Sequence, residues 1–420
     1  MPLNPEEQKN DENSFIREHI KSRPLSRKAL VCAVLTALLL GVVFGGAAAL
    51  TYRLGTSSGG SAETETADAE DTAAESADAS REAADTENTA DDGADEELSV
   101  SDYQKIKYEL TSIGRTVRKS IVTVSATAQA TDLFESDYET TDQVMGLVLS
   151  VDSSQIKILT QYDTVSAAEG IRVTFSSSEE ADAAIAGYDA TLGLAVLSVS
   201  TSGLSDTTLN NVTAAVFKTS GSALQGQVVV AVGMPSDGQI LIQDGTITSN
   251  TGEITTEDGV YTVYTTSMLS TQDGSGVLIN TDGEIIGIMM LSYNSSDEET
   301  LLTAVSAKEL YPKIEKMLNG EAIAYLGATL VTVTTSIAEE YGLPAGVYVR
   351  EVTDDAPAYD GGIQPGDIII QIGSTEISTV EGVMDYLLEC KPDQTVRVTV
   401  MRASGEDYSE VTCSVKLSQK

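Results

Sequence analysis

The residues with the clearest chemical potential are a serine and its small neighbours in the segment D-G-S-G at positions 273–276. A serine hydroxyl is a weak nucleophile until a neighbouring base takes its proton. In nucleophilic catalysis by a Ser-His-Asp triad, that base is a histidine. The chain of 420 residues contains one histidine, His19. The same four residues also form an ordinary tight-turn sequence, so Ser275 has a structural interpretation beside the catalytic one.

A long uncharged segment separates His19 from Ser275. Residues 29–50 are rich in Leu, Val and Ala, and as a helix they are long enough to cross about 30 Å of hydrocarbon. Basic residues precede this segment and an acidic tract follows it, which places the N-terminus in the cytoplasm and the remainder outside. A cleaved signal peptide is the rival interpretation, but its apolar region is usually shorter. With an uncleaved anchor, no fold of the outer region can bring His19 to Ser275.

The chain is strongly acidic, with a formal net charge of −39 at pH 7. Because an acidic surface repels phosphates, we expect no nucleic-acid partner. Residues 61–97 carry fifteen acidic residues against one basic residue, Arg81. Such a segment buries too little apolar surface to offset its ordering entropy, which predicts an extended, disordered acidic linker. A tail that binds cations or a partner is the alternative.

The cysteines and the lone histidine predict no metal site and no cofactor. Cys32 lies in the apolar segment, which leaves Cys390 and Cys413 as the one conceivable pair, and their pairing stays open. No ligand spacing typical of zinc or of an ordered calcium loop occurs outside the membrane segment.

Short strand-like segments follow from about residue 102. Two helical stretches accompany them: 103–117, and 306–319 with a capping box of Ser306 and Glu309. Many short strands at regular spacing are typical of a β-sandwich or barrel. The predicted strands are 120–125, 146–151, 156–160, 171–175, 194–199, 227–232, 259–264, 276–280 and 284–289. Residues 323–418 form a separate α/β unit with their own strands.

The order of these motifs resembles the HtrA family, which joins a chymotrypsin-like double barrel to a PDZ domain. The family's I-V-T-N-N-H-V segment is matched by I-L-T-Q-Y-D-T-V at 158–165, with Asp163 in the histidine position. Its D-L-A-V-L run is matched by G-L-A-V-L at 193–197, with Gly193 in place of the aspartate. The resemblance therefore implies a degenerate triad. An aspartate is a poor proton acceptor near neutral pH, so Asp163 is a weak substitute base.

The family's nucleophile segment, G-N-S-G-G-P-L-L-N, is matched by D-G-S-G-V-L-I-N at 273–280. Counted back from Asn280 without a gap, the nucleophile position holds Gly274. With a one-residue deletion it holds Ser275, which we favour because a serine is then kept between small residues. Asp273 and Gly274 are then the oxyanion-like turn. No lysine lies at a recognisable spacing from Ser275 to replace the missing histidine.

The last hundred residues resemble an HtrA-type PDZ domain. Y-L-G-A at 325–328 is similar to the carboxylate-binding loop, and A-P-A-Y-D-G-G-I-Q-P-G-D at 356–367 is similar to the family's S-P-A-x-x-A-G-L-x-P-G-D signature, whose glycines shape a turn. PDZ domains bind an extended C-terminus as an added strand and hold its carboxylate through backbone N–H groups. The resemblance thus implies peptide binding by Tyr325, Leu326, Gly327 and Ala328, with Gly327 allowing close backbone approach.

These observations predict a mainly β protein, a chymotrypsin-like double β-barrel followed by an α/β PDZ domain, with an N-terminal transmembrane helix. The expected segments are a cytoplasmic tail (1–28), a transmembrane helix (29–51), an acidic linker (52–100), a trypsin-like domain (101–320) and a PDZ domain (321–420).

The expected function is that of an extracytoplasmic, membrane-anchored pseudoprotease. It binds peptide C-termini or unfolded proteins in protein quality control or signalling. An active serine endopeptidase with Ser275 and a non-histidine base is the first alternative. The second is a structural platform whose barrels assemble a homo-oligomer.

Overall fold

The computed structural model describes residues 99–131, 137–234, 239–270, 274–290, 300–405 and 407–420. The predicted cytoplasmic tail, transmembrane helix and acidic linker lie outside these ranges, apart from the last two linker residues. Among the described helices, none is both long and apolar enough to cross a membrane.

The first described element is helix α1, Val100–Val117. Ser99 caps it, since its side chain accepts a hydrogen bond from the Asp102 N–H and the Asp102 carboxylate bonds back to the Ser99 N–H. Gly114 lies against the second barrel, where a β-carbon would stand 2.6 Å from Cγ2 of Ile242. The helix therefore packs closely on that barrel.

The first barrel is a closed six-stranded sheet with strand order β1-β2-β3-β6-β5-β4. Its interior is filled by β-branched and aliphatic side chains with Phe175 among them. Two short helices follow β3 and β6, α2 (Tyr162–Ser166) and α3 (Asp206–Asn211). The strands are β1 (Ile121–Thr131), β2 (Asp137–Val151), β3 (Gln155–Gln161), β4 (Gly170–Thr174), β5 (Glu180–Asp189) and β6 (Leu194–Ser200).

The second barrel is also closed and six-stranded, with strand order β10-β11-β12-β9-β8-β7. Its two longest strands, β8 and β9, form a hairpin whose turn is Glu257 and Asp258. The strands are β7 (Val228–Met234), β8 (Leu241–Thr256), β9 (Gly259–Ser270), β10 (Ser275–Ile279), β11 (Ile285–Met290) and β12 (Thr300–Ser306). The predicted double barrel is confirmed.

Helix α4, Ala307–Leu318, follows the second barrel and connects the barrels to the C-terminal domain. The predicted capping box is wrong. The side chain of Ser306 makes no cap bond, and the Glu309 carboxylate instead accepts bonds from the Thr262 N–H at 2.6 Å and hydroxyl at 2.8 Å. Gly320 follows the helix with φ = +72°, a conformation that favours glycine.

The C-terminal domain is an antiparallel sheet of order β13-β14-β15-β17-β18, with β16 paired to β15. Cys390 and Cys413 are buried and free, so they form no disulfide. The strands are β13 (Ala328–Val333), β14 (Gly346–Val352), β15 (Ile368–Ile372), β16 (Thr375–Glu376), β17 (Thr395–Ser404) and β18 (Asp407–Lys416). The helices are α5 (Thr335–Tyr341), α6 (Pro357–Asp360) and α7 (Val380–Glu389).

The signature turn of this domain has a structural role. Asp367 is 1% exposed in its side chain and receives two bonds from the guanidinium of Arg402, each at 2.7 Å. The Gln364 N–H donates to the same carboxylate at 2.9 Å. These bonds fix the turn before β15.

One continuous apolar cluster joins the seam between the barrels, helix α4 and the interior of the C-terminal domain. It contains seam residues such as Leu147 and Val277, Leu310 and Ile314 of α4, and Leu330 of β13. The barrels and the C-terminal domain therefore share a hydrophobic core across their boundaries.

Candidate functional site: an empty triad and an occupied carboxylate loop

The three positions assigned to the degenerate triad line one cavity between the barrels. Asp163 lies in α2, Gly193 lies in the turn between β5 and β6, and Ser275 begins β10 of the other barrel. The cavity has a volume of about 50 Å³, and its other walls are mostly apolar. Of the described residues that line it, none is a histidine, a lysine or an arginine.

Ser275 is held inside the seam. It is 3% exposed, and its Oγ accepts a hydrogen bond from the main-chain N–H of Met145 at 2.8 Å. Because Met145 belongs to β2, this bond joins the two barrels. The Met145 carbonyl in turn accepts a bond from the Thr160 hydroxyl at 3.2 Å. The hydroxyl of Ser275 therefore links the two barrels.

The other members of the nucleophile segment are less informative. Gly274 and Ser275 together line a neighbouring cavity of about 310 Å³ with Met234, Leu241 and other mainly apolar residues. Asp273 lies outside the described residues, so its place in the oxyanion-like turn stays a prediction.

Asp163 and Gly193 are neighbours. The Tyr162 N–H donates to the Gly193 carbonyl at 2.8 Å, and Gly193 has φ = +66°. A β-carbon placed on Gly193 would stand 3.8 Å from Oδ2 of Asp163. The first of these positions thus carries a carboxylate and the second carries no side chain, so neither offers an imidazole to Ser275.

A buried ion pair escapes prediction from the sequence. Nζ of Lys313, in α4, lies 2.9 Å from Oδ2 of Asp189 at the end of β5, and both side chains are less than one-tenth exposed. Burial would raise the pKa of Asp189, but the Lys313 ammonium and a hydrogen bond from Thr191 lower it below its ordinary value. This pair therefore fixes α4 to the first barrel.

The sequence indicates a buried ion pair here only by placing one charged residue, Lys313, among the apolar residues of one helix face. Lys313 shares the inner face of α4 with Leu310, Ile314 and Met317, all buried. Its Nζ also lies 5.9 Å from the ring centroid of Tyr261 in β9. Burial would lower the pKa of Lys313, but Asp189 and Tyr261 hold it above its ordinary value. A buried lysine of this kind requires a partner, although the sequence does not identify which acid supplies it.

The predicted carboxylate-binding loop does hold a carboxylate, and it comes from the same chain. The N–H of Leu326 donates to Asp258 at 2.6 Å, that of Gly327 at 2.9 and 3.0 Å to the two oxygens, and that of Ala328 at 2.9 Å. Asp258 forms the β8–β9 turn with Glu257 and is 5% exposed. Burial raises the pKa of Asp258, although the three amide donors favour its charged form.

Gly327 is constrained by packing as well as by its ligand. It has φ = +85°, and a β-carbon there would lie 2.3 Å from Cβ of Ala356 and 2.9 Å from the Tyr325 hydroxyl. The expectation that its lack of a side chain serves only close ligand approach is therefore incomplete, since any other residue would also disturb the domain itself.

Tyr325 is bound to the same turn. Its hydroxyl donates to Oε2 of Glu257 at 2.6 Å, and the Thr353 hydroxyl donates to Oε1 at 2.9 Å. The ammonium of Lys420 lies 2.5 Å from Oε2. Burial and Glu257 raise the pKa of Tyr325. All four residues of the predicted loop thus lie at the contact between the C-terminal domain and the second barrel.

Comparisons with known proteins agree with this architecture. Residues 145–288 match a trypsin-like peptidase domain and residues 324–417 match a PDZ domain. The chain is 27% identical over 297 residues to the serine protease Do-like HtrA of Bacillus subtilis, covering 66% of this chain and 63% of that protein. It is 25% identical over 352 residues to the protein of that name from Lactococcus lactis subsp. lactis, covering 75% and 84%. The chain therefore spans less than two thirds of the Bacillus relative.

Solved structures show the same fold at low identity. The HtrA-type protease AlgW with a decapeptide matches with a TM-score of 0.51 and 19% identity, covering 74% of this chain and 98% of that one. AlgW with a tripeptide matches with a TM-score of 0.51 and 20% identity, covering 74% and 97%. The two closed barrels, the trypsin-like peptidase and PDZ matches and these relatives together support the resemblance of the chain to the HtrA family.

Proposed function

We propose that this protein is a membrane-anchored, extracytoplasmic HtrA relative that binds peptide C-termini or unfolded chains and does not hydrolyse them. The absence of hydrolysis is supported by the cavity of Asp163, Gly193 and Ser275, whose described lining residues include no imidazole. In this mechanism, loss of the histidine reduces the rate by about 10⁶-fold. The hydroxyl of Ser275 is engaged by Met145 instead.

Peptide binding is supported by the geometry of the loop at residues 325–328. Three consecutive N–H groups converge on one carboxylate there, which is the arrangement that captures a peptide C-terminus. The two AlgW structures contain peptides, although neither identifies what this chain binds.

Anchoring and location are supported by the uncharged segment at residues 29–51 and the charges around it. A relative from Ectopseudomonas mendocina carries the name probable periplasmic serine endoprotease DegP-like, with 25% identity over 272 residues. We extend that compartment to this chain by analogy.

The proposal is tested by a proteolysis assay on the purified full-length protein. We expect no hydrolysis of unfolded casein above background and no labelling by a fluorophosphonate, because no base activates Ser275. The Ser275→Ala variant removes the candidate nucleophile, and the Asp163→Asn variant removes the charge of the candidate substitute base.

Hydrolysis and stoichiometric labelling that both disappear in folded Ser275→Ala would favour the alternative of an active endopeptidase. Additional loss in Asp163→Asn would identify the carboxylate as its base. Activity that survives in Ser275→Ala would indicate a contaminating protease.

A further inference from the structure

We propose that the β8–β9 turn is an internal ligand of the PDZ domain, with the Asp258 side chain in place of a peptide's C-terminal carboxylate, and that a partner must displace it. This inference rests on the proposed function, since it concerns the regulation of the same loop.

Asp258 uses three main-chain donors of the loop. Both of its oxygens are engaged, by the N–H groups of Leu326, Gly327 and Ala328 at 2.6–3.0 Å. Hydrogen bonds to a charged acceptor are the stronger kind. These three donors are the ones that the loop offers to a peptide carboxylate, so the two ligands cannot be bound together.

The backbone of the turn also makes the main-chain contacts of a bound peptide. The Asp258 N–H donates to the Ala328 carbonyl at 2.8 Å, and Glu257 forms an antiparallel bridge with Thr329. An added strand binds a PDZ domain through such main-chain contacts. Glu257 and Asp258 therefore occupy the positions of the last two residues of an incoming peptide.

Asp258 has an unusual backbone conformation for a residue other than glycine. Its φ is +59°, in the left-handed region that glycine adopts more easily than any other residue. The turn nevertheless carries a carboxylate there, and it is buried. The Lys313 ammonium, which acts on this carboxylate electrostatically, is paired with Asp189, and the loop amides are the hydrogen-bond partners of Asp258. The turn and the loop thus satisfy each other's buried polar groups.

Glu257 provides a second attachment. Its carboxylate is bound by Tyr325, Thr353 and Lys420, all in the C-terminal domain. Strand β9 contacts both α7 and β13. The hairpin therefore covers the space between the carboxylate loop and α7.

The consequence for a partner is a weakened apparent affinity. A site that is open in a fraction f of the molecules binds with a dissociation constant increased by 1/f. A turn docked in about 99% of molecules would thus weaken binding about 100-fold.

The test is a titration of full-length wild type, Asp258→Asn and Asp258→Ala with decapeptides that end in apolar residues, each as free acid and as amide. We expect both variants to bind the free-acid peptides at least tenfold more tightly than the wild type does, and to keep a preference for the free acid over the amide. Asp282→Asn is the matched control, because Asp282 is an exposed carboxylate in another turn of the same barrel. It should bind as the wild type does.

Amide hydrogen exchange provides a readout that needs no peptide. We expect the N–H groups of Leu326, Gly327 and Ala328 to exchange slowly in the wild type and faster in Asp258→Ala, with the strands of both barrels unchanged. Asp258→Asn preserves the size of the side chain, so it separates loss of the charge from loss of the turn's packing.

The outcomes are distinguishable. Equal free-acid affinity in the wild type and both Asp258 variants, with preference for acid over amide, would overturn the internal-ligand proposal and leave peptide binding intact. Absence of any acid preference in all proteins would overturn peptide binding, and the competition with it. Unchanged exchange of the three loop amides in Asp258→Ala would also overturn the internal ligand.

Discussion

At the scale of single residues, Ser275, the candidate nucleophile, has a packing role. Its hydroxyl accepts the Met145 N–H across the seam, and Ser275 is 3% exposed. A buried N–H without an acceptor is destabilising, so the fold itself depends on an oxygen at position 275.

We therefore predict that Ser275→Ala lowers the free energy of unfolding by about 1–3 kcal/mol, because the Met145 N–H loses its acceptor. Ser267→Ala is the matched control. Ser267 also accepts a main-chain bond, from the Thr246 N–H at 3.0 Å, but it is exposed. Its replacement should change the stability by less than about 0.5 kcal/mol. Urea unfolding of both variants measures the difference, and equal effects would contradict the bridging role of Ser275.

This result bears on how the assay for proteolysis is interpreted. A serine-to-alanine variant is usually taken as a silent control, yet here it removes a contact between barrels. Folding of the variant must accordingly be verified before lost labelling is assigned to chemistry.

The structure brings together the three positions that the sequence assigns to the triad, while their catalytic assignment stays a prediction. Asp163, Gly193 and Ser275, separated by up to 112 residues in sequence, line one cavity. The sequence does not reveal that Ser275 binds Met145, since that bond depends on how two barrels meet. It likewise gives no partner for Lys313, because Asp189 lies 124 residues away.

At the scale of elements, strands with continuous apolar sequences are predicted well, whereas strands with exposed or interrupted sequences are missed. Strand β6, buried along most of its length, is predicted within one residue at its C-terminal end. Strand β5 is missed because its sequence, E-A-D-A-A-I-A-G-Y-D, is rich in alanine and largely exposed on one face. Strand β8 is missed because Gly245 and Gly252 interrupt its pattern. These strands are specified by their neighbours in the barrel rather than by their own residues.

At the start of helix α4, a sequence that predicts a capping box makes a tertiary contact instead. S-A-K-E at 306–309 has the form of a capping box, but Glu309 bonds to Thr262 of β9 instead. A tertiary partner with two donors competes successfully with the helix's own N-terminus.

We predict that Glu309→Ala lowers the free energy of unfolding by about 1–3 kcal/mol, because both charge-assisted bonds to Thr262 are lost. Glu315→Ala, at an exposed position of the same helix, controls for the removal of a carboxylate and should have an effect below about 0.5 kcal/mol. Thermal or urea unfolding compares them. If Thr262→Ala reduces the effect of Glu309→Ala in a double variant, the contact is direct; additive effects would contradict it.

At the scale of the whole molecule, one set of buried groups connects every domain that the structure describes. Asp189 belongs to the first barrel, Tyr261 and Asp258 to the second, and Lys313 to the helix that leads to the PDZ domain. Around them runs the apolar cluster shared by all three parts. The domains are thus coupled through a common interior.

We predict that Asp189→Asn destabilises the protein by about 3–5 kcal/mol at neutral pH, because it leaves the Lys313 ammonium buried without its counter-charge. The double variant Asp189→Leu with Lys313→Met should lie closer to the wild type, since it removes both charges and keeps the site filled. Urea unfolding of the three proteins provides the comparison. A double variant as unstable as Asp189→Asn would show that the charges themselves are required.

The same pair fixes the sign of a pH dependence. The folded-state pKa of Asp189 is depressed, so its contribution is complete above the ordinary pKa of about 3.9 and is lost as the pH falls through the folded value. The free energy of unfolding of the wild type should therefore decline more steeply with acidification than that of Asp189→Asn. Parallel pH profiles would indicate that Asp189 titrates alike in both states.

The β8–β9 turn has a consequence for how a partner gains access to the loop. Because Asp258 is tethered to the loop it fills, its local concentration is set by geometry and does not change when the protein is diluted or overproduced. A free peptide C-terminus must therefore compete with that fixed local concentration before it displaces the turn. On our proposal, the occupancy of the loop by a partner is set by the concentration and affinity of that partner's C-terminus and does not depend on the abundance of the protein itself.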